Sequence, residues 1–575
     1  MNRKRKIIRQ DFNGEAIDVI FDPSQNYPGP DYPAVKRETL ILKKGSHQAP
    51  VSRALDCDMV FERDLPIELR DGVVIFADVI RPLGEEKIPA IVAYSPYGKQ
   101  KHSNYLPWGV PESKLSGLQK DEGPDPGFWV PRGYAVVQPD VRGVFYSGGD
   151  NRSFGTAEAE DGYDIVEWAA SQEWCNGKVG MSGNSYLAVS QFLTASLNPP
   201  HLAAIAPWEG FNDVYRQTSL NGGIPNFAFQ DLINSNKEGF TYFENMSAMA
   251  DAYPLMNAYW EDKRTKLENI TVPAYIVASY ISAFHSYGTL EALGRIASEE
   301  KWLRVHNTHE WPDLYDEKNE EDLCRFFDHY LKGIDNDWKE TPKVRLSVLN
   351  PGGEDVVNRP EADFPLPDTQ FKKMYLNNTN MTLEEEAQAE ETKKGYITDN
   401  RQDMLTYSFT MRERTETTGY FGAHLYVETE EAEDLDLFVY ALKADEQGRL
   451  MPPIVHGAPF SGFEGAPRYT PVGRLRVSLR ETDAELSTED KPFQTFRTVQ
   501  KLTPGVPVRV DIPLWPIGMI YEKGQKLVFI VAGYELNLEE WPELPPAPSV
   551  NKGRAFIYTG GQKASYLTVP VIPER

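Results

Sequence analysis

The stretch that decides the fold is Lys178-Val179-Gly180-Met181-Ser182-Gly183-Asn184-Ser185-Tyr186-Leu187-Ala188. Lys178 to Met181 closes a short apolar strand, and Tyr186 to Leu197 carries apolar residues at helical spacing with no Pro or Gly before Pro199. A strand that turns sharply into a helix puts Ser185 at the apex. An alcohol is a weak nucleophile in water, so acyl-transfer enzymes mount it on such a turn, where a base reaches the hydroxyl and helix-end N–H groups hold the oxyanion. Gly183, two residues earlier, stands where the turn has no room for a side chain. The second Gly of the simple G-x-S-x-G pattern is replaced by Leu187. A Gly-x-Ser tripeptide also occurs in ordinary strand-to-helix turns, so the surroundings must carry the argument.

Working outward, the region from 67 to 330 alternates apolar runs of strand length with helical patterns: Val73 to Val79, Ala90 to Tyr94, Ala135 to Gln138, Val179 to Met181, Ala203 to Ala206, Ala274 to Ala278 and Leu303 to Asn307. Such alternation predicts a mostly parallel sheet with crossover helices. Between Pro207 and Pro273 the pattern breaks into an aromatic-rich insertion at about 209–270, including Phe211, Tyr215, Phe227 and Tyr259, which predicts a cap over the sheet's C-terminal edge. Residues 1–66 read as a polar, Pro-containing lead-in. From 331 to 575 the texture changes to Pro, Gly and Thr with alternating strand patterns such as Arg474 to Leu479, Val508 to Ile512 and Lys526 to Val531, predicting an all-β domain of sandwich type.

Composition narrows the function. At 575 residues the chain exceeds what one core organises. A net charge of −25 argues against nucleic acid or an anionic membrane as partner, since both require a positive surface. Three scattered cysteines, Cys57, Cys175 and Cys324, form neither a disulfide framework nor a zinc site, and no metal or cofactor is expected. The basic start, Met1 to Lys6, is followed by no apolar run of signal-peptide length, so a cytoplasmic location is expected. The expected partner is a small-molecule substrate. Oligomeric state is left open, a homo-oligomer being compatible with the sequence.

Four further runs appear in a telling order: Arg70-Asp71-Gly72 leading to Arg81-Pro82, then Tyr94-Ser95-Pro96-Tyr97-Gly98-Lys99, then Gln138-Pro139-Asp140-Val141-Arg142-Gly143 with Ser147-Gly148-Gly149, then Glu160-Asp161-Gly162-Tyr163-Asp164 with Glu167-Trp168. In content and order they resemble the α/β-hydrolase family that contains cocaine esterase, α-amino-acid ester hydrolases and X-Pro dipeptidyl-peptidases. The family's elbow, Gly-x-Ser-Tyr-x-Gly, is matched at Gly183, Ser185 and Tyr186, with Ala188 in place of the last Gly. The resemblance runs from about Leu69 to the C-terminus. It implies an α/β-hydrolase sheet with a helical cap, followed by a C-terminal jelly roll. It also implies Ser185 as nucleophile and an oxyanion hole made by the backbone N–H of Tyr186 and the hydroxyl of Tyr97.

The order nucleophile, acid, base in this fold places the base just past the last strand. There the sequence reads Leu303-Arg304-Val305-His306-Asn307-Thr308-His309-Glu310-Trp311. His309 lies beyond the strand and is the preferred base, whereas His306 falls inside it. Set against the family's Gly-Pro-Trp-x-His, the base position falls on Glu310 or the residue before it. The acid is missing: where the family has Asp, this chain has Ser282, and the nearest downstream carboxylate, Glu291, is already in the next helix. Glu310 and Asp313 are the local substitutes, and His285 adds a third imidazole near the same rim. Two functions follow. One is a serine hydrolase or acyl transferase acting on an ester, amide or thioester through a Ser185 acyl-enzyme. The other keeps the scaffold but uses a degenerate triad for non-hydrolytic proton transfer or for ligand binding.

Overall fold

Strands buried on both faces cannot alternate, and the centre of this protein is built from such strands. The computed structural model describes residues 4–574 except 25–26, 30–31, 85, 236, 283, 454–468 and 537–547, and only the backbone at 228, 229, 232 and 235. In chain order the first strands are β1 (Lys6–Phe12), β2 (Glu15–Pro23), β3 (Glu38–Leu42), β4 (Met59–Glu68), β5 (Val74–Pro82), β6 (Ile88–Val92) and β7 (Ala135–Pro139). They are followed by β8 (Cys175–Asn184), β9 (Leu202–Trp208), β10 (Tyr242–Glu244), β11 (Ala274–Ser279), β12 (Lys301–His306), β13 (Val344–Val348) and β14 (Val356–Glu361). Every residue of β7 and of β11 is buried, which is why both read as unbroken apolar runs.

Eleven of these strands form one sheet in the order β14-β13-β12-β11-β9-β8-β6-β7-β5-β4-β3. The middle, from β7 through β6, β8, β9, β11 and β12 to β13, is parallel, while both ends are antiparallel. The α/β sheet predicted from the sequence is therefore present, but it is wider than the span 67–330. On one side β3 and β4 come from the lead-in at 1–66, and on the other β13 and β14 lie past residue 330. β3 and β14 at the edges, and β4 beside β3, carry exposed residues, and the buried β13 is broken by Arg345 and Ser347, so their polar residues disguise them as loop or as β-domain. The lead-in does more. Its hairpin β1–β2 adds β10 of the insertion as a third strand, tying the start of the described chain to the cap.

The insertion leaves the C-terminal end of β9 and returns at β11, and two of its helices begin with side-chain caps. Asn245 accepts from the Ala248 N–H to start Met246–Ala252, and Asn257 accepts from the Trp260 N–H to start Ala258–Asp262. After residue 361 the described residues form no α-helix: their eleven strands, from Gln370–Asn377 to Tyr566–Ile572, close around a buried core that includes Phe421, Leu425, Leu514 and Phe529. This β-rich unit of sandwich type adheres to the first along a broad seam, of which two contacts bear on the site. Leu349 N–H bonds to the Gly518 carbonyl at 2.9 Å, and Tyr287, on the helix Ser286–Arg295, packs its ring against Tyr420 and Trp515. No helix among the described residues is long and apolar enough to cross a membrane.

At the end of β8, Gly183 has φ +131°, and a Cβ placed on it would lie 2.7 Å from Leu187 Cβ and 3.0 Å from the Glu122 carbonyl oxygen. Both obstacles are rigid, one being backbone and the other the first turn of the following helix. Gly183→Ala should therefore cost about 2 kcal/mol or more of stability. Thermal unfolding of the purified variant checks this, and a melting temperature equal to that of the wild type would contradict the packing described.

Candidate active site

The elbow is real, and its backbone is held from three directions. Ser185 has φ 57° and ψ −116°, a conformation that side-chain-bearing residues avoid. Its N–H is shared between the carbonyls of Trp208, at 3.0 Å, and Glu209, at 3.1 Å, at the end of β9. Its own carbonyl accepts from the N–H groups of Ala188 and Val189, which starts the helix Tyr186–Ala195. The replacement of the family's last elbow glycine by Ala188 is met by a glycine opposite: a Cβ at Gly210 would stand 2.8 Å from the Ala188 methyl. The half-buried hydroxyl of Ser185 thus projects from a fixed point beside the first N–H groups of a helix.

The imidazole that meets this hydroxyl is His285. Its Nε2 lies 3.4 Å from Ser185 Oγ, and its Nδ1 lies 3.3 Å from Glu310 Oε2 and 3.1 Å from Ser282 Oγ. His285 is buried in the loop after β11, directly before the helix Ser286–Arg295. Glu310 opens the short helix Glu310–Leu314 after β12. Burial by itself would raise the Glu310 carboxyl, but the hydrogen bond and charge of His285, with help from His309 and Asn184, outweigh it and hold the group down at about 2. A half-buried carboxylate stays charged because an imidazole faces it.

The histidine preferred from the sequence is placed differently. His309 stacks its ring on Trp108, with centroids 4.4 Å apart, and its side chain caps the helix Glu310–Leu314 by accepting from the Trp311 N–H. A residue just past a strand end is as well placed to cap the next helix as to reach the serine, and here it caps. His306 lies within the strand and is buried, with Nε2 2.6 Å from Glu209 Oε1. Burial would lower its pKa, but Asp313 and Glu209 outweigh burial and raise it. Asp313 is committed elsewhere, to both guanidinium nitrogens of Arg304 and to Trp208 Nε1. Glu291 pairs with Arg295 on its own helix.

The tyrosines frame the opposite side of the hydroxyl. Burial and the charge of Glu122 push the Tyr97 phenol well above its ordinary value, while its interaction with the Ser185 hydroxyl draws it partly back. The Tyr186 side chain is engaged elsewhere, donating to Glu158 Oε2 at 3.1 Å, which leaves its backbone N–H beside Ser185. Three carboxyl groups here gave no sequence signal. Glu122 is buried at φ 61°; its carbonyl accepts from Asn184 N–H, its Oε1 accepts from Trp311 Nε1 at 3.0 Å, and burial raises it well above the usual range. Glu209, at φ 50°, accepts from Ser279 Oγ as well as facing His306. Glu158 is raised to about 7, chiefly by burial. All three reach the site across long sequence separations that no local motif reports.

A mostly parallel sheet, a serine on a strained turn at its C-terminal edge, and an imidazole and carboxylate stacked behind that serine define an α/β-hydrolase. Comparison with known proteins makes this specific. The family model for X-Pro dipeptidyl-peptidase (S15 family) matches residues 71–253, and that for the X-Pro dipeptidyl-peptidase C-terminal non-catalytic domain matches residues 336–568. A crystal structure of a CocE/NonD family hydrolase from Staphylococcus aureus superposes with a TM-score of 0.86 at 34% identity, covering 94% of this chain and 97% of that one. The chain belongs to the CocE/NonD family of hydrolases. Cocaine esterase of Rhodococcus sp. (strain MB1 Bresler) is 26% identical over 372 residues, a match that spans 54% of this chain and 62% of that protein, less than two thirds of its length. The fold is shared with an α-amino acid ester hydrolase, at a TM-score of 0.66 and 17% identity over 95% of this chain and all of that one. The family resemblance read from the sequence holds, and with it the coarse assignment as a serine hydrolase of the esterase or peptidase kind.

Two outcomes follow from the charged groups of the site. Glu158 sits near 4.5 in the unfolded chain and at about 7 in the fold, so folding favours its protonated form and stability falls as pH rises between those values. Glu158→Gln keeps an acceptor for Tyr186 and removes this titration. The variant should gain stability relative to the wild type on going from pH 5 to pH 8, by about 2–3 kcal/mol, as read from denaturant melts at both pH values. Separately, Glu209, His285 and Glu310 each bring one ligand atom within 4.8 Å of the others, a spacing that a divalent transition ion bridges. Such an ion would occupy the imidazole. Added Zn²⁺ should suppress ester turnover, chelation should restore it, and Glu209→Gln should raise the inhibitory concentration about tenfold.

Proposed function

We propose that the protein cleaves, or transfers the acyl group of, a small ester, amide or thioester through a Ser185 acyl-enzyme, with His285 as general base and Glu310 as the acid that orients it. The observation that carries this reading is a single imidazole presenting Nε2 to the serine and Nδ1 to a carboxylate. Relative to the family order, base and acid have exchanged loops: histidine stands on the loop after β11 and carboxylate on the loop after β12. The exchange is chemically neutral, since catalysis asks only that one ring nitrogen face the nucleophile and the other face a negative charge.

The reaction then runs as follows. Ser185 Oγ attacks the acyl carbon as its proton passes to His285 Nε2, and the imidazolium is stabilised by Glu310, which is ionised across the working pH range. The oxyanion settles between the Tyr186 N–H and the Tyr97 hydroxyl, which burial keeps protonated. Nε2–H protonates the leaving group, the carbon–leaving-group bond breaks, and water, deprotonated by the same nitrogen, releases the acid and regenerates the serine. A Ser–His separation of 3.4 Å fits a site that tightens on its substrate. Ser282, where the family has Asp, adds a hydroxyl partner to Nδ1 and accepts the His285 backbone N–H. The non-hydrolytic alternative rested on a missing carboxylate, and Glu310 removes that premise. The all-β unit, read as the family's jelly roll, acts by bracing the helix that follows His285 through Tyr287.

On an activated aryl ester, Ser185→Ala and His285→Gln should each lower kcat/KM by at least about a thousandfold. Glu310→Gln should cost about a hundredfold or more, and His309→Ala less than tenfold. Labelling by a fluorophosphonate should disappear in Ser185→Ala. A large loss in His309→Ala with little in His285→Gln would return the base to the loop after β12 and overturn the exchange.

A further inference from the structure

A second cavity lies between the insertion, the helix Ser286–Arg295 and the all-β unit, and neither Ser185, His285, Glu310 nor Tyr97 lines it. In a chain of net charge −25 its wall carries four arginines, Arg216, Arg264, Arg295 and Arg474, against two carboxylates, Asp213 and Glu291. Two of the four are compensated. Arg474 is held by both oxygens of Glu535, and Arg295 by Glu268 and Glu291.

The other two are not. Arg216 and Arg264 share one carboxylate, Asp213, at 2.9 Å and 3.7 Å. Both lie over the same ring, with guanidinium carbons 4.3 Å and 5.4 Å from the Phe493 centroid. Their Nε–H groups are buried and have no hydrogen-bond acceptor among the described residues. Arg216 spends its remaining nitrogens on Asp213 and on the Gln494 carbonyl. The wall as a whole is balanced, its four arginines facing Asp213, Glu268, Glu291 and Glu535, but two of those carboxylates serve Arg295, so Arg216 and Arg264 are left with one between them at a partly dry seam, which is costly unless a second anion approaches them. The Arg264 side chain makes no hydrogen bond among the described residues, and its terminal N–H groups, beside the charge of Arg216, suit a planar carboxylate, which can accept two parallel hydrogen bonds. Beyond them the wall turns apolar, with Tyr287, Phe496 and Trp515.

We propose that this cavity is a binding site for a small organic carboxylate, its oxygens on Arg216 and Arg264 and its apolar part against Phe496, Tyr287 and Trp515. The inference stands independently of the catalytic assignment.

The test is calorimetric titration of the full chain at low ionic strength with benzoate, with its neutral counterpart benzamide, and with inorganic phosphate. Benzoate should bind saturably with one site per chain, benzamide not at all, and phosphate at least tenfold more weakly because it lacks the apolar part. Arg216→Gln and Arg264→Gln should each weaken benzoate at least tenfold with unchanged near-UV circular dichroism. Should a variant fail to fold, protection of Arg264 in the wild type from an arginine-specific dicarbonyl reagent by benzoate reports the same contact. The proposal is overturned by absence of saturable benzoate binding, by equal binding of benzamide, or by phosphate binding as tightly as benzoate. Benzoate binding that neither substitution weakens and that gives Arg264 no protection places the ligand elsewhere and overturns it as well.

Discussion

One shared hydrogen bond governs the architecture of the site: the N–H of Ser185 given to two carbonyls at the end of β9. It holds a non-glycine residue at positive φ, and it does so only because β8 and β9 are in parallel register up to Asn184 and Trp208. Release that register and the serine relaxes, the first turn behind it loses its Ser185 carbonyl acceptor, and Leu187 leaves the space against Gly183. The strain at Ser185 is therefore maintained by sheet pairing and by the wholly buried helix Tyr186–Ala195.

Around that fixed point the chain has freedom in how it sets an imidazole and a carboxylate beside the serine. The loops after β11 and β12 both open onto the serine, because adjacent parallel strands end on the same side of a sheet. Whichever loop carries the imidazole, the other is within reach of its second nitrogen. That is how Ser282 and His285 on one loop and Glu310 on the other assemble a chain of contacts from positions that the linear family pattern assigns the other way round. The second buried pair, His306 with Glu209, lies beside it and shares the same neighbourhood of charge.

Legibility in the sequence followed the range of the interaction. Gly183, Ser185 and Tyr186 form a contiguous motif, and Tyr97 sits in a run that is recognisable by itself. The parallel strands read as apolar runs because both of their faces are covered. His285 was visible only as a third imidazole, since contact between residues 100 apart is set by sheet order and not by spacing. Glu122 and Glu209 look like ordinary surface glutamates, and nothing local says that long loops fold over them. The full width of the α/β sheet is hidden for a related reason: β3, β4 and β14 are partly exposed, β13 alternates Val344, Leu346 and Val348 with Arg345 and Ser347, and alternation of polar with apolar residues does not say which sheet a strand joins.

The hairpin β1–β2 and its third strand β10 bear on how this protein is made. Strand β2 emerges early in synthesis, yet its partner lies beyond most of the parallel sheet, with Pro23 opposite Tyr242. Closing so long a loop carries an entropic cost that only the later contacts offset, so the hairpin must wait with one edge open while the strands between are laid down. An unpaired edge during that interval is the kind of surface on which nascent chains adhere to one another. The charges along β2, Glu15, Asp18 and Asp22, keep that waiting edge from becoming a template.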